Sequence, residues 1–169
     1  MGDVRFKEIR LRTTILLILS VAVITGVVFS SFLMLIVVPS NSMEPTLNTG
    51  TLAVGSRMVR NIERGDILVF EHNEIIMIKR VVGLSGEQVV IDSNGTVSID
   101  GDILSESYVK HMRRGRVQRF DVPDGYLLFL GDNRQSSNDA RFWDYSFVPH
   151  DSVLAEAVHT LIPRPGTIQ

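Results

Sequence analysis

The chain has 169 residues, a formal net charge of −2 and no cysteine. The missing cysteine excludes a disulfide framework, a thiol nucleophile and a thiolate metal site. The near-neutral charge gives no overall reason to expect nucleic acid as a partner.

Residues 1–12 carry Arg5, Lys7, Arg10 and Arg12 and read as a short cytoplasmic segment. Thr13 to Val38, "TTILLILSVAVITGVVFSSFLMLIVV", contains no charge. As a helix it would reach ~39 Å, more than the ~30 Å hydrocarbon core of a bilayer, so a single transmembrane helix is expected over 13–38. A cleaved signal peptide fits less well, because its apolar region spans about 7–15 residues and ends in a small-x-small site. Here the run ends in Ile36-Val37-Val38-Pro39. No Lys or Arg follows until Arg57, so the positive-inside rule puts the amino terminus in the cytoplasm and residues 39–169 outside. The carboxyl end, "LIPRPGTIQ", is too short and polar to cross again. A cell-membrane protein with one span is expected.

Residues 39–169 suffice for one core of their own. Apolar runs such as "TLAVGSRMV", "GDILVFEH", "EIIMIKRVVGL", "GYLLFLGDN" and "SVLAEAVHTLI" recur between Gly, Asn and Asp. Rich in Val, Ile, Leu and Phe, they predict a mostly β exported domain of antiparallel sheets. "VVIDSNGTVSIDG" reads as a hairpin, with Asn94-Gly95 suited to a two-residue turn. Lys110, Arg113, Arg114, Arg116 and Arg119 gather in "YVKHMRRGRVQRFDVP". A solvated loop or edge strand accounts for them, and lipid headgroups or an anionic partner are the functional alternatives. Nucleic-acid binding is not expected, since little aromatic residue interleaves the charges.

Hydrolytic chemistry needs a nucleophile, a base and an oxyanion site. His72, His111, His150 and His159 are scattered and show no ligand spacing, so neither a metal nor another cofactor is expected. Lys79 and Arg80 lie inside the apolar run "EIIMIKRVVGL". Period-two alternation makes both faces of that strand apolar, so at least one charge approaches a buried surface. An edge strand that blocks aggregation with its charges is the plain explanation. The functional one is a desolvated amine whose lowered pKa lets it act as general base toward a serine. Ser40 and Ser42 just past the apolar run, and the polar loop "GDNRQSSNDAR", supply candidate hydroxyls.

With these residues in view, the sequence resembles the type I signal peptidases, membrane-bound serine–lysine proteases. "PSNSMEPTL", "RGDILVF", "KRVVGLSGE" and "GDNRQSSNDAR" match the family's blocks in order, over nearly all of residues 37–160. The resemblance implies Ser42 as nucleophile, Lys79 as general base, Ser40 in the oxyanion hole and Ser137 orienting the lysine amine. It implies that Arg80, Asp132, Asp139 and Arg141 brace the site. Val38, Met43, Leu47 and Ile78 would line shallow pockets for small substrate residues. Implied partners are preprotein signal peptides, the lipid bilayer and the secretion machinery. The sequence departs from the family at Ser85, at Ala140 and in a longer "DYSFVP". A self-cleaving repressor-type serine–lysine protease and a catalytically degenerate membrane-tethered β module are the rival readings.

Overall fold

The computed structural model describes residues 2–163 and 166–168, with side chains from residue 10 onward. One compact unit ends at Leu33 and a second begins at Met34. The first is helix α1, Gly2–Phe32. Its portion Arg10–Phe32 is long and apolar enough to cross a membrane. The hydroxyls within it are turned inward on the helix: Thr14 donates to the Arg10 carbonyl, Ser20 to Leu17, and Ser30 and Ser31 to Val27. This back-bonding satisfies these four hydroxyls within the helix itself, as a lipid-facing stretch requires.

The helix stops at Phe32, earlier than the Val38 expected from hydropathy, and Leu33–Val37 forms strand β1. An unbroken apolar run does not distinguish helix from strand. Side-chain burial does: Ile36 and Val38 are buried, while Leu35 and Val37, alternating with them, are 53% and 65% exposed. That is the two-residue period of a pleated strand. The second unit therefore starts about five residues sooner than the boundary expected at residue 39.

The remaining strands run in chain order as β2 Leu52–Ser56, β3 Ile67–His72, β4 Ile75–Gly83, β5 Gln88–Ile91, β6 Val97–Ile99 and β7 Asp102–Ile103. They continue as β8 Gln118–Asp121, β9 Tyr126–Leu130, β10 Phe147–Pro149, β11 Val153–Ile162 and β12 Gly166–Thr167. The larger sheet has the order β1-β2-β11-β3-β4-β9-β10, with β12 paired to β11. The smaller has the order β7-β6-β5-β8. All registered pairs are antiparallel, so the mostly β expectation holds.

Both faces of β3 are buried. Ile67 and Val69 join Ile36, Val38, Met43, Leu47 and Ile78 in one cluster, while Leu68 and Phe70 join Val81, Leu127 and Phe129 in another. Continuous apolar runs are what a strand covered on both faces requires. Strand β4 pairs with β3 over Ile75–Arg80 and with β9 only from Arg80 onward, and Lys79 and Arg80 are both buried, so the pair is not a set of charges displayed at an edge to block aggregation. A third cluster, including Val82, Val89, Val97 and Leu128, joins the small sheet to the large one.

The β5–β6 hairpin forms with a longer turn than Asn94-Gly95 alone would make. Asp92 N–H bonds the Thr96 carbonyl at 2.9 Å, and Gly95 N–H bonds the Asp92 carbonyl at 3.0 Å. Gly95 has φ +93°, giving a three-residue loop whose last member needs the left-handed region.

Candidate active site

Ser42 lies on a single 3-10 turn, Asn41–Met43, between β1 and β2. The turn is set by bonds on both sides: Val38 N–H to the Thr51 carbonyl, Gly50 N–H to the Val38 carbonyl, and Leu47 N–H to the Met43 carbonyl. Beneath it Met43 and Leu47 are wholly buried, so the hydroxyl sits on an apolar foundation that fixes its height.

Lys79 approaches from β4. Its Nζ is 2.8 Å from Ser42 Oγ and 3.1 Å from the Ile78 carbonyl. Ser40 Oγ is 3.2 Å from Ser42 Oγ. Ser42 and Lys79 are each 6% exposed. Burial lowers the Lys79 pKa below its ordinary value, because an ammonium loses hydration there. The Asp139 and Asp132 carboxylates push the other way without prevailing. Burial thus makes the Lys79 ammonium easier to deprotonate than in water, with Nζ within hydrogen-bond reach of the Ser42 hydroxyl.

The bracing residues form two buried ion pairs around this centre. Arg80 Nε and Nη2 donate to Asp132 at 2.9 and 2.8 Å. Arg80 Nη1 also donates to the Gly65 carbonyl, and its guanidinium lies 4.0 Å from the centre of the Tyr108 ring. Asp132 additionally accepts from Thr46 Oγ1 at 2.5 Å. Arg141 Nε and Nη2 donate to Asp139 at 2.7 and 2.8 Å, and Asp139 accepts the Gly131 N–H at 3.0 Å. Each arginine is therefore held by a fork that matches a carboxylate in shape and charge.

Asp132→Ala strands the Arg80 guanidinium, whose side chain is 3% exposed. Unfolding in urea is expected to show a loss of about 3–5 kcal/mol. Glu87→Ala, which breaks the more exposed Arg64–Glu87 pair, should lose under about 1 kcal/mol.

Two expected placements need correction. Ser137 is buried, but its Oγ has no hydrogen-bond partner. It does not bond Lys79, whose amine is already engaged by Ser42 and the Ile78 carbonyl. Of the four residues expected to line pockets, only Ile78 faces the open cleft. Val38, Met43 and Leu47 belong to the core under it, each at most 1% exposed.

That cleft has a volume of about 340 Å³, and Ile36, Val69, Ile76 and Ile78 line it together with Ser40 and Lys79. It runs between β1 and the first half of β4. Strand β1 ends the sheet order, and β9 pairs with β4 only from Arg80 onward. Among the described residues, both strand segments lining the cleft therefore have one edge outside any ladder. Such edges are templates for an added strand.

Sequence reasoning missed four residues that shape the site. Asn133 N–H donates to the Ser42 carbonyl at 3.0 Å and its Nδ2 to the Asn41 carbonyl at 3.2 Å, tying the polar loop to the Ser42 turn. Gly131 lies against Ser42 and Ser137. Arg134 pairs with Glu106 across 28 residues, both side chains at most 3% exposed. Their only sequence signal is adjacency to Asp132 and Ser137, and Glu106 has none. Among the described residues no cluster suited to a metal occurs.

Residues 11–162 match the family model described as signal peptidase, peptidase S26. The chain belongs to this signal peptidase family. It is 34% identical over 139 residues to a probable signal peptidase I-2 of Synechocystis, covering 76% of this chain and 62% of that one. It is 35% identical to a signal peptidase I of Leptolyngbya laminosa, covering 72% and 64% of the two chains. With the signal peptidase I of Bacillus licheniformis the identity is 31%, over 72% and 73%. The chain thus spans somewhat under two thirds of the length of the first two of these relatives. The crystal structure of a signal peptidase I from Enterococcus faecalis is similar at a TM-score of 0.50 and 30% identity, covering 58% of this chain and 97% of that one. Family membership and the apolar helix together support a membrane location.

Proposed function

We propose that this member of the signal peptidase family is a membrane-anchored serine endopeptidase that removes amino-terminal signal peptides from exported preproteins. The observation that carries the reading is the 2.8 Å approach of a buried lysine amine to a serine hydroxyl. Such an approach serves acyl transfer, and a binding module without catalysis has no use for it.

In this mechanism an extended preprotein segment pairs with the free edges of β1 and β4, bringing its scissile carbonyl to Ser42. Neutral Lys79 takes the hydroxyl proton as Oγ attacks that carbonyl. The Ser40 hydroxyl and the Ser42 backbone N–H stabilise the oxyanion, a donor of this kind lowering the barrier by roughly 3 kcal/mol. The protonated lysine then gives its proton to the leaving amine. Water, deprotonated by the same amine, attacks the acyl-enzyme and releases the signal peptide with a free carboxylate. The apolar walls of the cleft favour small uncharged residues before the cut.

By the charge asymmetry about the apolar segment, the amino terminus lies in the cytoplasm and the catalytic unit on the outer face of the cell membrane. Contact with the secretion machinery follows from that location. The repressor-type alternative requires a soluble DNA-binding segment where this chain has Arg10–Phe32.

The test is digestion of a model preprotein by detergent-solubilised protein, with the products mapped by mass spectrometry. A single cut following a small-x-small sequence is expected. An uncut preprotein, or cuts scattered through its mature region, would overturn the reading.

A further inference from the structure

The basic residues of 110–119 take no part in the chemistry above. Arg113, Arg114 and Arg116 line a cavity of about 400 Å³, with Arg141, Phe142 and Asp92 on its other sides. The segment that carries them is docked by its backbone on two fixed walls. On the hairpin side, Gly115 N–H donates to the Ser93 carbonyl at 3.1 Å. There Gly95 comes so near that a Cβ would meet the Arg113 carbonyl oxygen at 2.7 Å. On the active-site side, Gln135 N–H donates to the His111 carbonyl at 3.1 Å, and Gln118 Nε2 to the Arg141 carbonyl at 2.9 Å. A merely solvated charge run would not be pinned at both flanks.

The charges lining the cavity are unbalanced. Arg141 is neutralised by Asp139. The one carboxylate present, Asp92, accepts the backbone N–H groups of Asn94 and Thr96 through Oδ1 at 2.9 and 2.8 Å, and its single charge cannot balance three arginines. Among the described residues, no ion pair engages Arg113, Arg114 or Arg116. The guanidiniums of Arg113 and Arg141 lie 4.6 and 5.1 Å from the centre of the Phe142 ring, which holds their flat forks against one wall.

We propose that this cavity binds a phosphate-class oxyanion, as a phosphate ester or diester. One carboxylate offers two oxygens and a single charge, enough for one guanidinium fork. A phosphate group presents more acceptor oxygens and up to two charges, matching several arginines left without counterions. The volume fits a small ligand group rather than a bare halide. Arg114 and Arg116 belong neither to the Ser42–Lys79 contact nor to the buried ion pairs around it; of the bracing residues only Arg141 also lines this cavity.

Trp143, the only tryptophan, is the chain neighbour of Phe142, and its ring packs on Phe70 and His72, so its fluorescence registers shifts of that backbone. Full-length protein in neutral detergent is titrated with inorganic phosphate at constant ionic strength, with tryptophan fluorescence and melting temperature as readouts. A saturable change is expected in both. Arg114→Gln combined with Arg116→Gln should weaken it roughly tenfold or more while leaving the phosphate-free melting temperature unchanged. A response matched by chloride at equal ionic strength, or identical in the double variant, would overturn the site. Repeating the titration in nanodiscs separates the two sources of this chemistry. A response in phosphatidylcholine discs that disappears in phosphatidylglycerol discs identifies the lipid headgroup as occupant. One that persists in both identifies a soluble phosphate ester.

Discussion

Ser42→Ala and Lys79→Met are each expected to lower the rate of preprotein cleavage by roughly four to six orders of magnitude, and the double variant to be no worse than either. The reason is that hydroxyl and amine act as one unit: an amine without its hydroxyl has nothing to deprotonate, and the hydroxyl alone is a weak nucleophile. Quantitative mass spectrometry of the product, under single-turnover conditions, makes the measurement. Retained turnover in Lys79→Met would remove the amine from the mechanism.

The pH dependence follows from the desolvated amine. Because burial holds the Lys79 pKa below its ordinary value, activity should rise with pH through that lowered value and fall as the amine is protonated below it. Stability carries the same sign. In the unfolded chain Lys79 titrates near ~10.4, so between its folded and unfolded pKa values the unfolded state binds the extra proton. Stability therefore increases with pH across that interval, and the penalty is complete below the folded value. Lys79→Met removes the penalty, so at neutral pH the inactive variant should melt no lower than the wild type.

Gly131→Ala is expected to damage both fold and catalysis. A Cβ there would lie 2.2 Å from Ser137 Oγ, 2.6 Å from Ser137 Cβ and 2.5 Å from the Ser42 carbonyl oxygen. A rotation of Ser137 could move its Oγ, but neither its Cβ nor the Ser42 backbone can yield without shifting the nucleophile turn. Overpacking of this kind costs about 1–3 kcal/mol of stability. A displacement near 1 Å at the reacting atom can slow the reaction roughly 100-fold. Urea unfolding and kcat measured on the same preparation check both parts. Gly101→Ala, at a position with open space, controls for the loss of a glycine as such, although its φ of +96° strains the backbone. Wild-type kcat in Gly131→Ala would show that the close approach has no bearing on the reaction.

The strands were legible because their apolar runs are short and separated by turn residues. That at least one of Lys79 and Arg80 approaches a buried surface was legible because both faces of their strand are apolar. The partnership of Ser42 with Lys79 was not a matter of period or spacing. It came from the resemblance of four ordered blocks, since contact across 37 residues leaves no local trace. The end of the helix was misjudged because Leu33–Val38 is as apolar as what precedes it, and only pairing with β2 makes it a strand. Gly131, Asn133 and the Glu106–Arg134 pair stayed hidden for a related reason. Each matters through a main-chain approach or a long-range ion pair, and hydropathy carries neither. His72 shows the converse: scattered in sequence and dismissed as a catalyst, it is buried and stacked on Trp143 with centroids 4.2 Å apart.

Strand β11, residues 153–162, lies between β2 and β3 in the large sheet. During synthesis, β2 and β3 are made 97 and 81 residues before the strand that joins them (Ser56 and His72 to Val153), so the continuous sheet linking the Ser42 turn to the Lys79 strand is completed only with residues 153–162. Long-range pairing of this sort is slow as well as late. A nascent chain that lacks β11 therefore carries the Ser42 turn and the Lys79 strand without the strand that bridges their halves of the sheet.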